Sequence, residues 1–259
     1  MSVLSALAEA IRSATVDVID LTAPLSSTTP ILKLPEPFGN TVPFTLHEIS
    51  RYDERGPAWY WNDITTGEHT GTHFDAPVHW VTGRDGQDVS QVPLHQADRA
   101  RGGARLQPRR PPPTRTSCWR WTTSRSGRAS TARCRREAGC CTGPAGTPGR
   151  ATRSTFLNAN ETGPHTPGVS VECARWLAQE APVIGFGVET VGTDAGAAHS
   201  FDPPFPCHSS MLGADKYGLT QLQNLALLPA AGAVIIVSPL PITGGSGSPC
   251  RALALVERA

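Results

Sequence analysis

Apolar and polar positions alternate from Val16 through Thr22, one side chain to each face, which predicts a strand over residues 16–22. Residues 63–73 read as a second extended stretch, leading into a histidine-rich run. Over residues 169–180, Val171, Ala174, Trp176, Leu177 and Ala178 recur at roughly helical spacing behind Pro167-Gly168, so a helix is expected there, ended by Pro182. Residues 183–189, VIGFGVE, form a short apolar run bounded by proline and polar residues, the pattern of a buried strand. Residues 217–228 predict a helix. Residues 232–242, GAVIIVSPLPI, are the strongest strand signal in the chain because β-branched residues dominate them. Residues 252–256 predict a closing strand. Helical and buried-strand patterns alternate, which points to an α/β fold organised as a single domain over residues 1–259.

Residues 99–153 break this pattern. They hold one Leu, two Trp and no Val, Ile or Phe, so they offer little to a core. They also change the meaning of the charge. The segment carries fourteen Arg and one acid, Glu137; taking these from the chain's 23 basic and 22 acidic residues leaves 9 and 21, a net of −12. An acidic protein therefore carries one very basic insert. It could be a nucleic-acid-binding arm or a solvated linker. Its Arg, Pro, Ala, Gly, Ser and Cys content fits better a GC-rich gene translated out of frame, with the normal frame resuming near Thr155-Phe156. Back-translated and read one frame over, residues 117–131 can spell a stretch with a helical apolar period. The segment is accordingly expected to be irregular and to form no regular core element. Four of the seven cysteines lie in it, and no cysteine spacing implies a disulfide framework or a zinc ribbon. No secretory signal or membrane-length apolar run is evident, so a cytoplasmic protein is expected, with no membrane partner.

The chemistry concentrates in residues 69–79, HTGTHFDAPVH, which place His69, His73, Asp75 and His79 within eleven residues. Imidazole and carboxylate are the usual ligands of a catalytic divalent metal. His69, His73 and Asp75 could supply three ligands, leaving His79 for acid–base work. Were the run a straight strand, the first two histidines would stand about 13 Å apart at ~3.3 Å per residue, near the limit for sharing one ion. A turn at Gly71 is therefore expected, and Pro77 should redirect the chain after Asp75. Trp59, Trp61 and Trp80 flank the run and could form either an aromatic substrate wall or plain core. Asp194 is a candidate partner for a ligating histidine. His165 and His199 read as surface residues, and Cys207 beside His208 as a neighbour on the opposite face of the chain.

The run resembles the signature His-x-Gly-Thr-His-x-Asp-x-Pro-x-His of the cyclase family of metal-dependent hydrolases, which includes bacterial kynurenine formamidases (arylformamidases) and isatin hydrolases. The resemblance extends over residues 18–30 and 201–229 and implies a swivelling β/β/α fold. It implies Zn2+ or Mn2+ held by His69, His73 and Asp75, with His208 as a further ligand and His79 catalytic. In the formamidases a ligating Glu precedes an Asn-Leu pair; here Gln223 precedes Asn224-Leu225, so Gln223 is the candidate for that position and a weaker oxygen ligand. Residues 216–219 and 244–249, KYGL and GGSGSP, are similar to the isatin-hydrolase branch. The implied activity is hydrolysis of a C–N bond in a small aromatic amide or lactam by a homodimer or homotetramer, with no nucleic-acid partner. The alternatives are a non-hydrolytic cyclase or dehydratase on the same metal, and an inactive frameshifted product.

Overall fold

The longest strand, Gly247–Glu257, carries three other strands along its two edges and fixes where the histidine-rich run lies. The computed structural model describes residues 2–93, the strands at 118–121 and 134–136, and residues 156–181, 183–229 and 232–258. Among these, helix α1 (Val3–Arg12) precedes strand β1 (Val16–Asp20). A hairpin follows, β2 (Thr45–Asp53) and β3 (Gly56–Thr65), then the short β4 (His73–Asp75). Strands β5 (Cys118–Trp121), β6 (Cys134–Arg136) and β7 (Gly168–Val169) come next, then helix α2 (Val171–Gln179) and β8 (Gly185–Gly187). Helix α3 (Pro206–Leu212), β9 (Tyr217–Thr220), β10 (Val234–Pro239) and β11 (Gly247–Glu257) complete the order.

In the main sheet, β10 pairs antiparallel along one edge of β11. Along the other edge β1 pairs with its C-terminal half and β4 with its first three residues. The sheet continues from β4 to β9 antiparallel and from β9 to β8 parallel. Alternate residues of β11 point inward: Cys250, Ala252 and Ala254 are buried, and the two alanines are small enough for Leu21 and Leu222 to close over them. Below β4 and β9, Phe74, Ala76, Val89, Tyr217 and Cys250 form a second cluster. A third joins α2 to α3 through Val169, Cys173, Ala174, Leu177, Cys207 and Met211. The side-chain oxygen of Ser170 caps α2 by accepting from the Cys173 N–H. At the other end, Lys216 donates to the Leu177 and Ala181 carbonyls at 2.6 and 3.0 Å, which ties α2 to the start of β9.

Strands are present where β1, β10 and β11 were expected, and α2 lies inside residues 169–180; Pro182 is outside the described residues. Four expectations need correction. Residues 217–228 are not a helix but β9, a bridge at Leu222 and a 3-10 turn over Leu225–Leu227. Their apolar spacing suits a helix, yet both edges of β9 are taken by β4 and β8, and Gln221 and Asn224 adopt left-handed φ of 55° and 60°. Tertiary pairing overrides local propensity here. Residues 63–73 do not run extended throughout, because β3 ends at Thr65 and a turn precedes β4. The strand in 183–189 covers three half-buried to exposed residues. Finally, residues 118–121 and 134–136 are strands, β5 pairing with β6 and with β7, so the basic segment is not wholly irregular; its other residues lie outside those described. No described helix is long and apolar enough to cross a membrane.

The turn before β4 depends on Gly71. Its φ is +65°, a conformation that costs a residue bearing a Cβ about 1–2 kcal/mol. A Cβ there would also lie 2.5 Å from Leu25 Cδ2. Gly71→Ala is therefore expected to lower unfolding free energy by at least ~1–2 kcal/mol, read by chemical denaturation. An unchanged midpoint would contradict this account of the turn.

Candidate metal centre

The turn at Gly71 brings together side chains that a straight strand would separate. The His69 and His73 rings stand 5.1 Å apart between centroids and meet edge to face. Asp75, the last residue of β4, lies in the middle of the sheet between β11 and β9 and is 1% exposed. Pro77 then opens a 3-10 turn, Pro77–His79, which folds His79 back over the site. Its ring stacks on His69 at 3.9 Å. His208 arrives from α3, after Pro206 at the start of that helix.

Three imidazoles converge on the Asp75 carboxylate. His69 Nδ1 is 2.8 Å and His73 Nε2 3.4 Å from Oδ1, while His208 Nε2 is 4.0 Å from Oδ2. Two glycines leave room for it. A Cβ on Gly218 would stand 2.6 Å from Asp75 Oδ2, and one on Gly247 would stand 2.7 Å from His69 Cε1. Each of the three rings also has its outer nitrogen held. His73 Nδ1 is 2.7 Å from the Gly71 carbonyl, His208 Nδ1 is 2.5 Å from Asp194 Oδ2, and His69 Nε2 is 2.8 Å from Ser246 Oγ. Asp194 accepts in addition the backbone N–H groups of Cys207 and His208.

The electrostatics are those of a buried anion lacking a strong cation. Burial pushes the Asp75 carboxyl pKa up, but the His73 imidazole and the His69 hydrogen bond outweigh it and hold the group well below the usual carboxylate range. Among the described residues its ion-pair partners are all imidazoles, and none is Lys or Arg. A buried carboxylate facing three oriented nitrogens is the donor set of a divalent cation, which would neutralise it without protonating the rings. Burial works against charge on His208 too, but Asp194 outweighs it and raises the pKa. His79 differs: burial and then the neighbouring His69 push its pKa down to about 3. It is thus unprotonated at neutral pH. Among the described residues it has no hydrogen bond that would fix its ring, unlike the other three.

One grouping of ligand atoms, His69, Asp75 and His79, lies within 4.8 Å of one another. His73 approaches the same carboxylate oxygen as His69, and His208 the other one. Gln223 is placed otherwise: its backbone N–H donates to Leu21, and among the described residues no hydrogen bond or ion pair joins its side chain to the cluster. The polar residue that β9 sets against the cluster is Thr220, fully buried, with Oγ1 3.0 Å from His73 Nε2. Of the tryptophans, only Trp80 is here, tilted over His208 at 4.8 Å and edge-on to Phe205 at 5.5 Å. Trp59 and Trp61 are exposed on the hairpin, in neither the core nor this wall. His199 is exposed and His165 half-buried. Cys207 is buried, and burial, then the Asp194 charge, raise its thiol pKa, so it stays protonated. Thr220, Ser246, Glu68 and Phe205 were not legible as site residues, because each reaches the cluster through pairing or loop contacts distant in sequence.

The fold and the cluster define a protein built around a buried cluster of histidines and an aspartate, and the comparisons give its family. The sequence profile of the family described as Putative cyclase matches residues 19–100. An isatin hydrolase from Roseibium aggregatum is 38% identical over 268 residues, which cover 100% of this chain and 98% of that protein. Among solved structures, isatin hydrolase A from Labrenzia aggregata bound to benzyl benzoate is 36% identical with a TM-score of 0.78, covering 99% of this chain and 100% of that one. An isatin hydrolase bound to the product analogue thioisatinate is 33% identical with a TM-score of 0.76, each chain covered in full at 100%. The chain belongs to the cyclase family.

Because Asp194 holds His208 and two backbone N–H groups, Asp194→Asn is expected to weaken divalent-cation binding by about 10–100-fold, measured by equilibrium dialysis. Wild-type affinity in that variant would remove Asp194 from the centre.

Proposed function

We propose that the protein is a metal-dependent hydrolase that opens the C–N bond of a small aromatic lactam of the isatin type. The observation that carries this reading is the convergence of His69, His73 and His208 on buried Asp75 beneath an aromatic wall. The full-length relatives that are isatin hydrolases support it. In this reading His69, His73, Asp75 and His208 hold Zn2+ or Mn2+. Such an ion supplies charge that polarises a substrate carbonyl and acidifies a water.

The protein's own groups do the rest. Trp80 and Phe205, packed edge to face, give apolar ring surface against which an aromatic substrate ring can lie, and exclude water from one side of it. Water adds to the lactam carbonyl carbon, and His79, stacked on His69 beside Asp75, accepts its proton. The carbon–nitrogen bond then breaks, and His79 returns the proton to the leaving nitrogen. The product is a carboxylic acid, which releases its proton to solvent to become a carboxylate, with a free arylamine, and one water has been consumed. A linear arylformamide can follow the same steps. Gln223 stands where the formamidase pattern has a carboxylate, and among the described residues no hydrogen bond joins its side chain to the cluster, which favours the lactam. The apolar surface that Trp59, Trp61 and Ile64 leave open on the hairpin supports a homo-oligomer.

His79→Ala is expected to keep its metal while turnover falls by roughly 10²–10⁴-fold. Loss of metal together with activity would make His79 a ligand. In parallel assays the wild-type chain should act faster on isatin than on N-formylkynurenine; a faster rate on the formamide would reverse the substrate assignment.

A further inference from the structure

Three imidazoles face Asp75, but they do not face it alike. His73 Nδ1 lies 2.7 Å from the Gly71 carbonyl oxygen, which can only accept, so that nitrogen carries the proton and Nε2 faces Asp75. His208 Nδ1 lies against the Asp194 carboxylate, so here too Nδ1 is protonated and Nε2 faces inward. His69 is turned the other way, with Nδ1 2.8 Å from Asp75 Oδ1 and Nε2 2.8 Å from Ser246 Oγ.

Glu68 decides the proton on that second contact. The Ser246 hydroxyl donates to Glu68 Oε2 at 2.6 Å, and the Ser246 backbone N–H donates to the same oxygen at 3.1 Å. A serine hydroxyl has one proton. With that proton directed to Glu68, Ser246 can only accept from His69, so His69 carries its proton on Nε2. Its Nδ1 lone pair then faces the lone pairs of Asp75 Oδ1 at 2.8 Å, which is repulsive unless a proton or a cation lies between them. The serine is itself clamped. Its carbonyl accepts from the Ala76 N–H at 3.0 Å, and the Gly245 carbonyl beside it accepts from the Val89 N–H at 2.9 Å. Asp88 accepts the Gly244 N–H at 2.8 Å, anchoring the start of the same loop.

We infer that Glu68 and Ser246 are positioning residues that fix the tautomer of His69, so that it ligates the cation through Nδ1 while His73 and His208 ligate through Nε2. The inference rests on the reading of Asp75 as the centre of a cation site. It gives the loop of residues 244–249 a role in metal binding: the loop carries the hydrogen-bond acceptor that orients a ligand 177 residues away.

The test is spectroscopic and uses the full chain loaded with 113Cd, its histidines labelled with 15N. Couplings between cadmium and ring nitrogens report which nitrogen of each ring is bound. One ring coupled through Nδ1 and two through Nε2 is the expected pattern in the wild type. All bound rings coupled through Nε2 would overturn the inference without any variant. Ser246→Ala should remove the Nδ1-type coupling and weaken cadmium binding by about 10–100-fold, and Ser246→Thr, which keeps the hydroxyl, should restore both. Unchanged coupling and affinity in Ser246→Ala would reduce Glu68 and Ser246 to loop anchors and overturn it. If the wild type binds cadmium no better than Asp75→Asn, the cation site itself fails, and the inference with it.

Discussion

Asp75 is a carboxylate closed inside a sheet, and most of what is distinctive around it follows from that burial. An uncompensated charge in such a place is costly, so the fold must bring opposite charge or give up the anion. It brings imidazoles from three places: the turn before β4, β4 itself and α3. Each ring is fixed from outside by a different group, Ser246, the Gly71 carbonyl or Asp194. Rings held this way each keep a nitrogen toward the Asp75 carboxylate, which is the kind of pre-organisation that a metal centre needs. Among the described residues His79 has no such anchor, and it lies stacked on His69, which suits a group that must accept and release a proton.

The same constraint reaches into the backbone. The sheet crowds Asp75 from both edges, so its cross-strand neighbours Gly218 and Gly247 cannot carry side chains without meeting Asp75 or His69. The left-handed turn at Gly71 brings His69 back toward His73. The glycines around the site are thus consequences of one buried anion, imposed through different strands.

Much of the site was legible because its chemistry is compressed into residues 69–79, where three His, an Asp, a Gly and a Pro each have a spacing with a physical meaning. The turn at Gly71 and the redirection at Pro77 follow from local rules and are present in the structure, and Asp194, expected to hold a histidine, pairs with His208. What could not be read was long-range. Residues 217–228 have helical apolar spacing and become a central strand because β4 and β8 flank them. For the same reason Thr220, and not Gln223, faces His73: a central strand presents alternate residues to the cluster, and which ones is set by its register with Asp75. Ser246 and Glu68 meet only once β11 has paired with β4. Helix α1 has no buried residue, and its exposed Val3, Leu4 and Ile11 gave no signal of how it would sit.

The central claim is that one divalent cation belongs at Asp75. Anomalous diffraction from crystals grown with Mn2+ or Zn2+, recorded on either side of the metal's absorption edge, tests it most directly. The account predicts a single strong peak about 2.0–2.2 Å from an Asp75 oxygen, with His69, His73 and His208 nitrogens at about 2.0–2.1 Å. A fully loaded crystal with its peak elsewhere, or with none of these three histidines bound to the ion, would contradict it.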